Sequence, residues 1–182
     1  MDLAIVGFSP TTHDLAFDKQ FDEVWGMPWD EGYWVHYSRL FEMHNLNLLR
    51  TVECRPKDYE ERLKEVDAPL YMQEEYKEFP CIKFPIESVA KITGDYFNSS
   101  IAYMVALAIY EEVNSISIFG VDMKDDEEYF YQRPNLEYLI GLAKGKGINI
   151  HIPEESPLCK FNPDGIKFGN EFVTYRKRYG NQ

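Results

Sequence analysis

The chain has 182 residues, about one domain, of which 45% are hydrophobic and 15% aromatic. That is enough to bury roughly 70% of the surface an unfolded chain would expose, which excludes a disulfide-stapled mini-protein and global disorder. Lys and Arg number 19 against 31 Asp and Glu, and the resulting net charge of -12 has the wrong sign to attract a nucleic-acid backbone.

Other compositional features narrow the class further. Cys54, Cys81 and Cys159 lie far apart without Cys-x-x-Cys spacing, so neither a zinc knuckle nor a disulfide framework is expected. The apolar run in residues 1–7 is too short for a signal peptide, and no stretch reaches about 18 apolar residues. No membrane partner is expected, and the cytoplasm is the expected location. The basic segment Arg176-Lys177-Arg178 near the end reads as a solvated tail.

In chain order, Leu3 to Val6 reads as a buried strand stopping at the turn Gly7-Phe8-Ser9-Pro10-Thr11-Thr12. Short strands follow at Glu23-Val24-Trp25 and at Arg39 to Met43, with weak helical spacing between them. Lys57 to Val66 fits an exposed helix, and Pro69 to Met72 a strand. Cys81 to Phe84 is a short extended piece in a proline-punctuated connection, and Ile86 to Ile92 forms one or two helical turns.

The strongest element begins at Asn98-Ser99-Ser100, whose side chains can cap a helix, and continues to Tyr110 with almost no polar face, as a buried helix does. Ser115 to Phe119 then reads as a core strand ending on Gly120-Val121-Asp122. An acidic loop, a helix over residues 134–144, a stop at Gly145-Lys146-Gly147 and a last strand at Ile148 to Ile152 complete the pattern. Strands and helices alternate at the spacing of βαβ crossovers. The expected fold is α/β: a single Rossmann-like domain over residues 1–160, its sheet mostly parallel with helices on both faces. Residues 161–182 are expected to form a C-terminal extension that packs on it or is partly mobile.

In such a sheet, ligands bind beyond the carboxyl ends of the strands, where strand order reverses. Gly7, Ser9, Thr11 and Thr12 offer backbone N-H groups and hydroxyls to a phosphate, although Gly-x-Ser-Pro is neither a dinucleotide nor a Walker fingerprint. Ser99 and Ser100 open a helix whose N-H groups and dipole favour an anion. Gly120 and Asp122 end the next strand, so cap, glycine and carboxylate can meet at one sheet edge. Asp125, Asp126, Glu127 and Glu128 form either a solvated loop or a set of oxygen ligands for magnesium.

Tyr129, Tyr131 and Arg133 can bind a phosphate or a sugar hydroxyl. A base would stack near Trp25, Met27 and Trp29, with Tyr33 and Trp34 as further aromatics. His13 after the first turn and His44 after a strand stand where an imidazole can act as general base. Asp122 and His13 are the catalytic assignments.

The run from Ser99 to Ile109, followed by Ile116 to Met123, resembles the segment of bacterial family 42 sialyltransferases in which a Thr/Ser-Ser pair opens a helix and Gly-Ile-Asp ends the following strand. Ile5 to Pro10 and Ser156-Pro157-Leu158 are similar to that family's first loop and to its Asn-Ser-x-Leu. The resemblance implies that the serine pair and Gly120 lie against a cytidine monophosphate sugar donor. The small lid domain that carries that family's histidine base has no counterpart here.

The layout is also similar to the 6-hydroxymethylpterin pyrophosphokinase-like group, which implies nucleoside triphosphates and magnesium. Trp-Gly, Phe-Glu-Met-His, Gly-Val-Asp-Met and Tyr-Gln-Arg-Pro-Asn, in this order, resemble proteins of tailed bacteriophages, which would place the chain in a host cytoplasm. Two functions follow as expectations. One is a nucleotide or nucleotide-sugar binding protein acting as a transferase on the activated donor. The other is a non-catalytic phage module that captures a nucleotide-like metabolite or signal. Exposed aromatics also fit a homo-oligomer interface.

Overall fold

A computed structural model of the protein describes residues 1–29, 33–51, 57–123, 127–160, 166–168 and 171–173. Its centre is a seven-stranded sheet in the order β5-β4-β3-β2-β1-β6-β7, and every neighbouring pair is parallel. The strands are β1 (Asp2–Val6), β2 (Glu23–Gly26), β3 (Arg39–Glu42), β4 (Leu70–Met72), β5 (Cys81–Lys83), β6 (Ser115–Phe119) and β7 (Asn149–His151). The helices are α1 (Leu46–Thr51), α2 (Tyr59–Glu65), α3 (Ile86–Thr93), α4 (Ser100–Tyr110) and α5 (Glu127–Gly145). The fold is Rossmann-like. Strands progress outward from β1 to β5, then the chain returns through α3 and α4 to lay β6 on the other side of β1.

Two apolar layers explain why β1 and β6 are near-continuous hydrophobic runs. Side chains alternate across a strand, so Leu3, Ile5, Ile116 and Ile118 face α3, α4 and α5, whereas Ala4, Val6 and Phe119 face α1 and α2. A parallel sheet covered on both faces needs apolar residues at both parities. Burial on the first face makes α4 apolar all round: every residue from Ile101 to Ile109 except Tyr103 is buried.

Three elements differ from expectation. The extended piece at Cys81 is a true edge strand, paired with β4 in register Leu70↔Cys81. The short helix α1 follows β3 in a stretch where no element was expected, and its Leu46 and Leu49 dock on the α1/α2 face of the sheet. The helix expected over 134–144 begins at Glu127 and carries Pro134 inside, a residue with no N-H to give the carbonyl four residues back.

Expectations placed on Asp125 and Asp126, on the side chains of Glu127, Glu128 and Trp34, on Cys54 and on the basic tail lie outside the described residues. Of the C-terminal extension, β8 (Ile166–Phe168) and β9 (Glu171–Val173) form an antiparallel pair. No helix among the described residues is long and apolar enough to cross a membrane.

Candidate functional site

Strand order reverses between β1 and β6, and the loops leaving their carboxyl ends are forced together. The Gly7 N-H donates to the Phe119 carbonyl at 2.8 Å, and the Ser9 N-H to the Gly120 carbonyl at 2.8 Å. A Cβ on Gly7 would run into the Gly120 carbonyl oxygen, and one on Gly120 into that of Gly7, so neither turn accepts a side chain. Gly120 also sits at φ +63°, where L residues are disfavoured. The hydroxyl of Thr12, itself buried, accepts the Gly120 N-H at 2.8 Å.

Beyond this crossing lies a cavity of about 870 Å³, within the range of small-molecule sites. Gly7 and Ser9 after β1, Met27 after β2, His44 after β3, Gln73 after β4 and Gly120 to Met123 after β6 all border it, and Asn98, Ser99 and Ser100 close it at the start of α4. Phe97, Ile101, Tyr103 and Val121 supply apolar wall. Five strand ends and one helix start thus meet in one hollow.

Ser99 is the N-cap of α4, its hydroxyl accepting the Ala102 N-H at 3.2 Å. That bond satisfies one of the otherwise unpaired first-turn donors, and the dipole of an eleven-residue helix still points its positive end toward this wall. Asp122 is 9% exposed. Its Oδ2 accepts the Thr11 hydroxyl at 2.7 Å, while its Oδ1 is buried without a hydrogen-bond partner among the described residues. An unpaired carboxylate oxygen beside a cavity is a strong acceptor waiting for a donor. Ser156 braces this segment, donating to the Val121 carbonyl at 2.9 Å and accepting the Leu158 N-H at 3.2 Å. Met123, next in line, holds a left-handed φ of +48°, a conformation that the surrounding packing must impose.

Opposite stand Glu42 and His44. The Glu42 carboxylate is 3% exposed. One oxygen accepts the His44 backbone N-H at 3.1 Å and lies 2.6 Å from Nδ1 of its ring, and the other accepts the Tyr59 hydroxyl at 2.5 Å. Burial pushes the Tyr103 phenol up, so it stays a neutral group in the wall.

Of the residues named from sequence, Gly7, Ser9, Met27, Ser99, Ser100, Gly120, Asp122 and Tyr129 border the cavity. Thr11 and Thr12 stand behind it, spending their hydroxyls on Asp122 and Gly120. The remaining four lie elsewhere. Trp25 is fully buried (0% exposed), with the Arg39 guanidinium 4.7 Å from its ring centre and Phe41 against it, so its face meets a cation of the protein itself. His13 is buried between Phe17 and Tyr33 and bonded to Asp14 at 2.8 Å. Arg133 pairs with Glu137 at 2.8 Å and donates to the Pro157 carbonyl at 2.9 Å. Tyr131 is 67% exposed on the outer surface of α5.

Trp29 packs on Tyr59, outside the lining, and Tyr33 stacks on Phe17. Among the described residues no Lys or Arg lines the cavity, and no group of three or more His, Cys, Asp or Glu could hold a metal ion. Sequence reasoning missed the Glu42 partnership of His44, since an acidic residue in a buried strand gives no sign of its partner until the strand order is known. It also missed Gln73, whose amide donates to the Met43 carbonyl at 2.6 Å and thereby ties the end of β4 to the end of β3. Compared with protein-family models, with curated proteins and with solved structures, the chain matches none.

Proposed function

We propose that the protein binds a nucleotide or nucleotide sugar in this cavity and acts as a transferase on the activated donor. The observation that carries this reading is the convergence of the Gly7–Ser9 turn, the Gly120–Asp122 segment and the Ser99–Ser100 helix start on one hollow at the switch point of the sheet. Backbone N-H groups at the α4 start would hold a phosphate against the turn, whose own Gly7 and Ser9 N-H groups are already given to the Phe119 and Gly120 carbonyls. The Asp122 Oδ1 would accept a hydroxyl or amino group of the ligand, which supplies the hydrogen bond it lacks. The apolar wall of Met27, Phe97 and Ile101 suits a base or sugar face.

A second reading, capture of a nucleotide-like metabolite without turnover, draws support from one feature. No described Lys or Arg reaches the cavity to stabilise charge on a departing phosphate.

Titration calorimetry against nucleosides, nucleotides and nucleotide sugars, combined with an assay for released phosphate or nucleotide, tests both. Binding is expected from at least one class, weakened about tenfold or more in Asp122→Asn and Ser100→Ala. Release of nucleotide marks a transferase, and intact ligand recovered after tight binding marks capture. No binding across the panel rejects the site.

A further inference from the structure

We propose that His44 is the proton acceptor of this cavity and that Glu42 is the residue that positions it. The inference rests on the nucleotide reading for its donor substrate, but its geometry is independent of that reading. Glu42 ends β3 with its carboxylate on the α1/α2 side of the sheet, where Tyr59 from α2 donates to one oxygen at 2.5 Å. His44, two residues on, supplies two donors to the other oxygen: its backbone N-H at 3.1 Å and its ring Nδ1 at 2.6 Å. An ionised carboxylate only accepts hydrogen bonds, so this contact puts the ring proton on Nδ1 and makes Nε2 the basic nitrogen. The imidazole borders the cavity together with Ser99, Ser100 and Asp122, whereas its carboxylate is sealed behind it.

A buried carboxylate holding an imidazole by Nδ1 selects a tautomer, fixes the ring plane and stabilises the imidazolium formed when Nε2 takes a proton. A carboxylate that merely filled a strand position would not need three donors brought to it from two elements. Among the described residues, Tyr59 stands behind Glu42, and Tyr103, Asp122 and Tyr129 share the cavity wall with His44.

The step follows from the placement. A hydroxyl, from an acceptor sugar or from water, gives its proton to Nε2 as its oxygen forms a bond to the electrophilic carbon or phosphorus of the nucleotide donor. The bond from that atom to the leaving phosphate breaks, and the phosphate departs with its electron pair. The imidazolium later returns the proton to solvent.

The experiment has two arms on the full chain. In the first, 15N NMR of the neutral imidazoles is expected to show His44 as the Nδ1-H tautomer, shifting toward Nε2-H in Glu42→Gln while His36 and His151 stay unchanged. A dominant Nε2-H tautomer in the wild type overturns the assignment. In the second, nucleotide release from sugar nucleotides and nucleoside triphosphates is followed with and without an acceptor alcohol, alongside calorimetry with the matching monophosphate.

His44→Gln is expected to release nucleotide about 100-fold more slowly or worse, with the monophosphate Kd within about threefold and the pH dependence of the wild-type rate lost. Glu42→Gln is expected to fall in between, with a displaced pH profile that a purely structural carboxylate would not produce. Release that depends on the alcohol identifies an acceptor hydroxyl, and release without it identifies water. A wild type that binds the monophosphate but releases nothing overturns the base and leaves capture standing. A wild type that binds no nucleotide overturns the proposed function, and with it the donor assigned to His44.

Discussion

Gly120 answers to two constraints at once: a left-handed φ and the Gly7 carbonyl pressed where a Cβ would go. Either alone would favour glycine, and together they leave no alternative. Gly120→Ala is therefore expected to lose about 1–3 kcal/mol of stability, seen as a lower urea midpoint at unchanged slope. A midpoint equal to wild type would show that the two turns do not meet as described. The same scale separates the residues that sequence could assign from those it could not. Gly7, Ser99 and Gly120 were legible because a turn or a cap demands its residue type locally. Trp25 and Arg133 were not, since a large aromatic or a guanidinium serves core and ligand equally well. Only the neighbours Arg39 and Glu137 settle which it does.

At the scale of elements, α4 combines a local signal with a tertiary one. Its cap is local, and Ser99→Ala is expected to cost about 1 kcal/mol in urea unfolding, because the Ala102 N-H loses its acceptor. Its apolar surface all round is tertiary, set by burial against both the sheet and α5.

Helices α1 and α2 are joined differently, by Arg50 donating to Glu60 at 2.9 and 3.0 Å. That hydrogen bond is the main reason the Glu60 carboxyl is held below the usual range. A carboxyl lowered in the folded state adds stability above its unfolded pKa and loses it as pH falls through the folded value. Glu60→Gln should accordingly match the acid sensitivity of wild type less closely the further pH drops between about 6 and 3, losing a smaller part of its stability over that range. Urea midpoints across the range check it, and parallel curves would mean that the exposed pair is screened out. The early start of α5 and the existence of α1 escaped sequence reading for a shared reason. Pro134 argued against a helix that tertiary packing nonetheless sustains, and Leu46 and Leu49 show no period until the sheet face beneath them exists.

For the whole molecule, the sheet predicts its own hierarchy of stability. β1 lies between β2 and β6 with both faces covered, whereas β5 is an edge strand with Ile82 and Lys83 exposed. Native-state hydrogen exchange should find the amides of Ala4, Ile5 and Ile118 among the slowest and those of β5 among the first to open. Comparable protection at both places would contradict a core centred on β1. The sequence by itself determined the alternation of strand and helix, the α/β class and the two turns at Gly7 and Gly120, because periodicity, caps and glycine requirements act over a few residues. Tertiary structure alone decided which loops share the cavity, that Asp122 keeps an unpaired oxygen there, and that Glu42 and Tyr59 stand behind His44. Those facts depend on strand order, and strand order is set by which apolar faces bury together across the whole chain, a property that no local window contains.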